Sequence, residues 1–243
     1  MAVDKNKIIK WVQDYFEQNG PTSKAIIGIS GGKDSTVAAA LCVAALGPDR
    51  VIGVRMPQDF QADEEDAYRV CDYLDIASYR IDIGDMCKVL YRELDDNNEM
   101  PWKVPVVTTN VPARMRMVTL YAVAGALGGR VCCTSNGSEA YVGYSTKWGD
   151  GVGDFAPLRN MTVAEVIDLG RQLGMPEDLL IKPPADGLSG KTDEDNMGLT
   201  YNDIDSVYKG EGNLKDMNTY VEIMKRHNRN KHKTEPIPIY PNK

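Results

Sequence analysis

The segment Ala25-Ile26-Ile27-Gly28-Ile29-Ser30-Gly31-Gly32-Lys33-Asp34-Ser35 constrains this chain more than any other. A short apolar run, two adjacent glycines and an Ala-rich stretch from Thr36 to Leu46, closed by Gly47-Pro48, read as strand, glycine loop and helix. Adjacent glycines let the backbone approach an anion closely, the start of a helix offers unpaired N–H groups, and Ser30 and Ser35 add hydroxyl donors. The loop therefore reads as a phosphate cradle. It is neither a Walker A loop, GxxxxGK[ST], nor the dinucleotide fingerprint GxGxxG. Asp34 adds a condition, because an acid beside bound phosphates is repulsive unless a cation lies between them, and this implies magnesium. In a plain strand-to-helix turn, Asp34-Ser35 would instead cap the helix.

The same alternation continues along the chain. An amphipathic helix carrying Ile8, Trp11, Val12, Tyr15 and Phe16 precedes the loop; Arg50 to Met56 and Ser78 to Ile83 read as strands, with helices over Ala62 to Leu74 and Asp85 to Leu94. Helical spacing returns from Val111 to Leu127, followed by a buried-strand candidate, Val131 to Ser135, and a Gly- and Tyr-rich loop, Gly137 to Asp154. Thr162 to Leu173 reads as helix, Lys182 to Gly198 as a second polar loop, and Tyr201 to Tyr208 and Lys215 to His227 as the last helices, before an extended Pro236 to Pro241 tail. Right-handed βαβ units and a doubly wound parallel sheet flanked by helices follow, as one domain over residues 1–243.

Composition narrows the partners. With 28 Lys plus Arg against 35 Asp plus Glu, the net charge is −7, which favours small-molecule partners over nucleic acid. The five cysteines show no CxxC or metal spacing, so reduced thiols in a cytoplasmic protein are expected, with Cys132 and Cys133 as buried strand residues. No signal peptide is expected at the start, and the apolar run Val37 to Leu46 is too short to span a bilayer, so no membrane partner is expected.

At SGGKDS the chain resembles the PP-loop, or N-type ATP pyrophosphatase, superfamily, with its adenine nucleotide alpha hydrolase-like fold. Further motifs narrow the resemblance: Asn110-Val111-Pro112-Ala113-Arg114-Met115-Arg116-Met117, then Thr134 to Glu139, then Gly143-Tyr144-Ser145-Thr146-Lys147-Trp148-Gly149-Asp150, with Asp154 and Pro157-Leu158 after it. In this order they are similar to ammonia-dependent NAD synthetases. The resemblance implies that Gly28, Ile29, Ser30, Gly31, Gly32, Lys33, Asp34 and Ser35, with Thr134, hold ATP, and that Asp34 and Glu139 are magnesium ligands. It implies that Arg114, Lys147, Asp154, His232 and Lys233 bind deamido-NAD, and that Asp150 handles ammonia, making Asp34, Glu139 and Asp150 the catalytic set. ATP-dependent amidation of deamido-NAD to NAD, through an adenylate and with release of AMP and pyrophosphate, is the implied reaction. A homodimer is implied too, and the length leaves no room for a glutamine-hydrolysing domain, so free ammonia is the expected nitrogen source.

Plainer readings stand beside these. Glu139 also suits the first turn of a helix facing solvent, Arg114 and Arg116 suit surface helix charges, and Lys225 to Lys233 suits a solvated helix end. Asp150 before Gly151 is also a turn pairing, and Tyr141, Tyr144 and Trp148 could pack loops down or stack on a ring. Two positions depart from the family pattern: Val163 stands where a Lys is usual, and Ala185 where Ser or Thr is usual. Lys182, Lys191 and Thr192 are the expected substitutes. The alternatives are another PP-loop adenylating enzyme, acting in tRNA thiolation or nucleotide amidation, or a nucleotide-binding homologue with weakened catalysis.

Overall fold

A computed structural model describes residues 3–59, 64–97, 100–182, 192–211 and 216–241. Among these residues four parallel strands form a sheet in the order β3-β2-β1-β4: β1 (Lys24–Gly28), β2 (Val51–Arg55), β3 (Ala77–Arg80) and β4 (Gly129–Val131). Register runs Ile26 with Ile52 and Val131, and Val54 with Tyr79. The apolar run that begins the glycine loop is the central strand, which explains its hydrophobicity on both sides.

Successive β1 residues enter opposite cores. Ala25, Ile27 and Ile29 pack with α1 (Lys5–Asn19), α2 (Lys33–Leu46), α7 (Val163–Gln172) and α8 (Glu177–Leu180). Ile26 packs with Ile52, Val54 and Val131 against α4 (Gly84–Asp95) and α5 (Pro105–Leu127). The sheet is thus covered on both faces, as expected for a doubly wound fold. Helix α2 is buried from Val37 to Cys42 because it sits between the sheet and α1, α7 and α8, so its Ala-rich sequence shows no polar face. Helix α3 (Glu64–Tyr73) follows β2, and a third cluster joins α6 (Gly137–Val142), α10 (Tyr201–Lys209) and α11 (Met217–Asn230) around Ile204 and Ile223.

Several boundaries differ from the sequence reading. Helix α5 starts at Pro105, six residues before the expected Val111, and carries Pro112 inside it. The proline cannot donate to the Thr108 carbonyl one turn back, and the Tyr91 hydroxyl bonds that carbonyl at 3.3 Å instead. A tertiary contact therefore repairs what looked like a helix start. The expected strand Val131 to Ser135 lies earlier, at Gly129–Val131, and Cys132 continues it only as a bridge to Phe155. Both polar loops hold short helices begun by capping boxes: α6 after Asn136, and α9 (Asp193–Met197) after Thr192. No helix among the described residues is long and apolar enough to cross a membrane.

Candidate active site

The glycine loop lies beyond the carboxyl end of β1, the position at which open α/β sheets bind ligands. Its shape is held from within. Gly31 takes φ +80°, which favours glycine, and the Ser30 N–H donates to Ser35 Oγ at 3.2 Å. Ser35 Oγ donates back to the Gly32 carbonyl at 3.0 Å. Gly32 is the N-cap of α2 and no side chain caps the helix, so Asp34-Ser35 is not the simple cap that a bare turn would use. A Cβ at Gly32 would meet only Ser30 Oγ, at 3.4 Å, leaving the loop open to a ligand.

One buried asparagine joins this loop to the end of β4. Asn136 Nδ2 donates to Asp34 Oδ1 at 3.0 Å, while its Oδ1 accepts the Glu139 N–H at 3.0 Å. Glu139 closes the capping box by accepting the Asn136 N–H at 3.3 Å, and it also accepts from Ser135 Oγ at 3.1 Å. Both bonds fall on Oε2. Lys33 Nζ, almost fully buried, bonds Asp34 Oδ2 at 2.9 Å and lies 5.3 Å from the centre of the Tyr201 ring.

The electrostatics follow from this crowding. Burial, then the Asp34 charge, push Glu139 up to about 8 against the pull of Lys33 and its hydrogen bonds. For Lys33, burial opposes the charge, but Asp34, Glu139 and Asp193 outweigh it and hold the ammonium above its ordinary range. Glu139 is indeed in the first turn of a helix, yet it lines a cavity instead of facing bulk solvent.

That cavity, of about 370 Å³, is lined by the whole of Gly28 to Ser35 together with Thr134, Glu139 and Asp150. The predicted ATP, metal and ammonia residues are therefore brought together. Asp150 keeps accessible surface in a concave wall, where loss of hydration raises its carboxyl; the Thr146 N–H at 2.7 Å, Lys233 and Arg116 pull it down. Helix α5 contributes Ala113, Arg116, Met117 and Leu120, spaced along one helical face. Arg55, Glu64 and Lys182 also line it. Of these, the Asn136-x-x-Glu139 pairing was readable as a capping box, and Arg116 as the helical neighbour of Ala113.

None of the five residues expected to hold the dinucleotide lines this cavity. Arg114 is exposed and donates through Nε to the Lys147 carbonyl at 3.3 Å. Lys147 Nζ in turn donates to the His232 carbonyl at 2.8 Å, so the three form a chain outside the cavity lining. Lys233 Nζ donates to the Gly143 and Ser145 carbonyls at 2.8 and 2.9 Å, pinning the loop that ends in Asp150. Asp154 lies apart: its Oδ2 accepts the Val131 N–H at 2.7 Å and its Oδ1 the Tyr121 hydroxyl at 3.3 Å, tying the loop to the sheet.

The remaining expectations divide. Tyr141 stacks on His227, with centroids 4.4 Å apart, and Tyr144 bonds Asp193, so both pack the loop, while Trp148 is exposed at φ +61°. Cys132 and Cys133 are buried, and burial raises both thiols. Lys182 reaches the cavity and bonds Asp66 at 2.6 Å. Thr192 caps α9 and does not line the cavity, and Ala185 and Lys191 lie outside the described residues. Val163 begins α7, packs against the third cluster and takes Ser138 Oγ on its N–H at 3.1 Å, away from the cavity.

A glycine loop at the carboxyl edge of a parallel sheet, with paired carboxylates beside a cavity, defines a nucleotide-handling α/β protein of the PP-loop kind. Residues 5–238 match the NAD synthase family, and the chain belongs to it. The NH(3)-dependent NAD(+) synthetase of Pyrococcus horikoshii is 38% identical over 84% of this chain and 78% of its own. That of Methanosarcina acetivorans is 34% identical over 97% and 96%. Among solved structures, NMN synthetase from Francisella tularensis superposes with a TM-score of 0.87 at 35% identity, covering 98% of this chain and 97% of its own. NH3-dependent NAD synthetase from Campylobacter jejuni superposes at 0.80 and 25%, covering 99% and 100%. The fold and family expected from the motifs are both borne out.

Proposed function

We propose that this chain uses ATP to amidate deamido-NAD with ammonia, giving NAD, AMP and pyrophosphate. The observation that carries the reading is the Asp34–Asn136–Glu139 network, which sets two carboxylates beside an open glycine loop in one cavity. A carboxylate is a poor electrophile, so its oxygen first attacks the α-phosphorus; a C–O–P link forms and the bond to pyrophosphate breaks. Ammonia then adds to the carbonyl carbon, the C–O bond to AMP breaks, and a proton leaves nitrogen. Asp150, whose carboxyl is raised within the cavity, is the acceptor of that proton.

Asp34 and Glu139 suit magnesium, which takes one or two carboxylates and fills its octahedron with phosphate oxygens and water. Glu139 Oε1 carries neither of that side chain's two hydrogen bonds. Bound there, the ion would offset phosphate charge as pyrophosphate departs. The backbone of Gly31 and Gly32, Ser30, Ser35 and Lys33 orients the triphosphate, and Thr134 meets the nucleotide from the end of β4. Arg114, Lys147, His232 and Lys233 form a basic rim outside the cavity, and a cytoplasmic homodimer would close the dinucleotide between two such rims.

A second reading, amidation of the mononucleotide, is favoured by the Francisella NMN synthetase, which matches with a higher TM-score and identity than the Campylobacter enzyme. Initial rates with deamido-NAD and with nicotinate mononucleotide, each with ATP, magnesium and ammonium, separate the two. A kcat/KM for deamido-NAD at least tenfold the higher supports the main reading, and the reverse ratio supports the second. ATP binding with neither amide product overturns both.

A further inference from the structure

Among the described residues four cations line the cavity, and three of them have carboxylate partners: Lys33 with Asp34 at 2.9 Å, Lys182 with Asp66 at 2.6 Å, and Arg55 with Glu64 at 3.8 Å. Arg116 is the fourth. Its Nε donates to the Met56 carbonyl at 3.1 Å, and among the described residues no carboxylate lies within ion-pair distance of it. The guanidinium is therefore fixed at one nitrogen, while its remaining N–H donors have no protein partner among the described residues. Its surroundings work against its charge: burial lowers its pKa, with only Cys87 and Asp150 acting the other way.

Arg116 and Arg114 are two residues apart, which turns them by about 200° around a helix. Only Arg116 shares the face that presents Ala113, Met117 and Leu120 to the cavity. A partly desolvated cation with no carboxylate at ion-pair distance is costly, and an arriving anion relieves that cost. The triphosphate already has the glycine loop and Lys33. The other reactant must bring its carboxylate into the same cavity, and the basic rim of Arg114, Lys147, His232 and Lys233 lies outside it.

On the reading that this chain amidates a nicotinate nucleotide, we infer that Arg116 binds the reacting carboxylate itself, holding it beside Asp150 for attack on the α-phosphorus. After adenylation the same guanidinium faces the carbonyl oxygen, which becomes an oxyanion as ammonia adds. Planar, forked donors suit both species, and a point charge would serve them less well.

Substrate and product differ only in carboxylate against amide, so a pair of binding measurements isolates the contact. Calorimetric titrations would compare wild type, Arg116→Met and Arg116→Lys with deamido-NAD, with NAD, and with a non-hydrolysable ATP analogue that reports folding. Arg116→Met should weaken deamido-NAD by about 10- to 100-fold, the loss of a charge-assisted contact, and NAD by less than about threefold. Arg116→Lys should fall between. Where wild type prefers the mononucleotide, nicotinate and nicotinamide mononucleotides form the matching pair. Equal losses for acid and amide, or no loss for either, overturn the inference while leaving the amidation reading intact. Failure of wild type to bind either acid overturns both.

Discussion

Replacing Asn136 tests whether one buried side chain sets the spacing of the two carboxylates. Asn136→Asp keeps an oxygen to cap the Glu139 N–H at 3.0 Å but removes the NH₂ that bonds Asp34 Oδ1 at 3.0 Å. It places a new negative charge beside Asp34 at that separation, worth up to about 5 kcal/mol of repulsion at an effective dielectric near 20. Asn136→Ala loses the cap, about 1 kcal/mol, and a charge-assisted hydrogen bond of about 1.5–3 kcal/mol, without adding charge. For a chain of this size each kcal/mol moves Tm by about 2–4 °C, so the alanine variant should melt roughly 5–15 °C below wild type in chelator. The aspartate variant should melt lower still. Millimolar magnesium should then recover more of the loss in Asn136→Asp than in Asn136→Ala, because only the former gains an oxygen ligand. An aspartate variant that is more stable than the alanine one in chelator, or equal magnesium shifts in both, would refute this geometry.

Other outcomes follow from the same site. Glu139 is held near 8 against about 4.5 unfolded, so the metal-free native state binds the extra proton; its contribution to stability is intact below about 4.5 and is lost as pH rises to about 8. In chelator, Glu139→Gln should therefore match wild type at pH 4 and exceed it at pH 9 by a few kcal/mol in urea titrations. Asp154→Ala should cost about 2–3 kcal/mol of stability through the orphaned Val131 N–H, and should lower the denaturation midpoint whether or not dinucleotide is present. Lys182→Met should raise KM for ATP about tenfold, the worth of one charged contact in the cavity, while Asp66→Asn should raise it less.

Legibility in the sequence tracked how local each determinant is. The strand, loop and helix around SGGKDS were readable because central-strand burial and glycine geometry are written into adjacent residues, and β1 and α2 lie where that reading puts them. The start of α5 was not, since the partner that replaces the hydrogen bond lost at Pro112 is Tyr91, on another helix. The two polar loops hid α6 and α9 because six and five residues give too little periodicity, although their capping boxes were present. At the site, motif order picked out the glycine loop, Thr134 and Glu139, all of which line the cavity. It named Arg114, whereas Arg116 is the one that lines the cavity, because that depends on which helix face the sheet buries. Nor could it show that Asp154 spends its carboxylate on the backbone of β4, a contact across 23 residues.

The central claim is that the substrate carboxylate is activated by adenylation in this cavity. Deamido-NAD labelled with ¹⁸O in its carboxylate, turned over with ATP, magnesium and ¹⁵N-ammonium, tests it most directly by mass spectrometry of all products. Transfer of one ¹⁸O to the phosphate of AMP, with ¹⁵N in the amide of NAD and unlabelled pyrophosphate, is the predicted result. Formation of ADP, or ¹⁸O in orthophosphate with none in AMP, would contradict it.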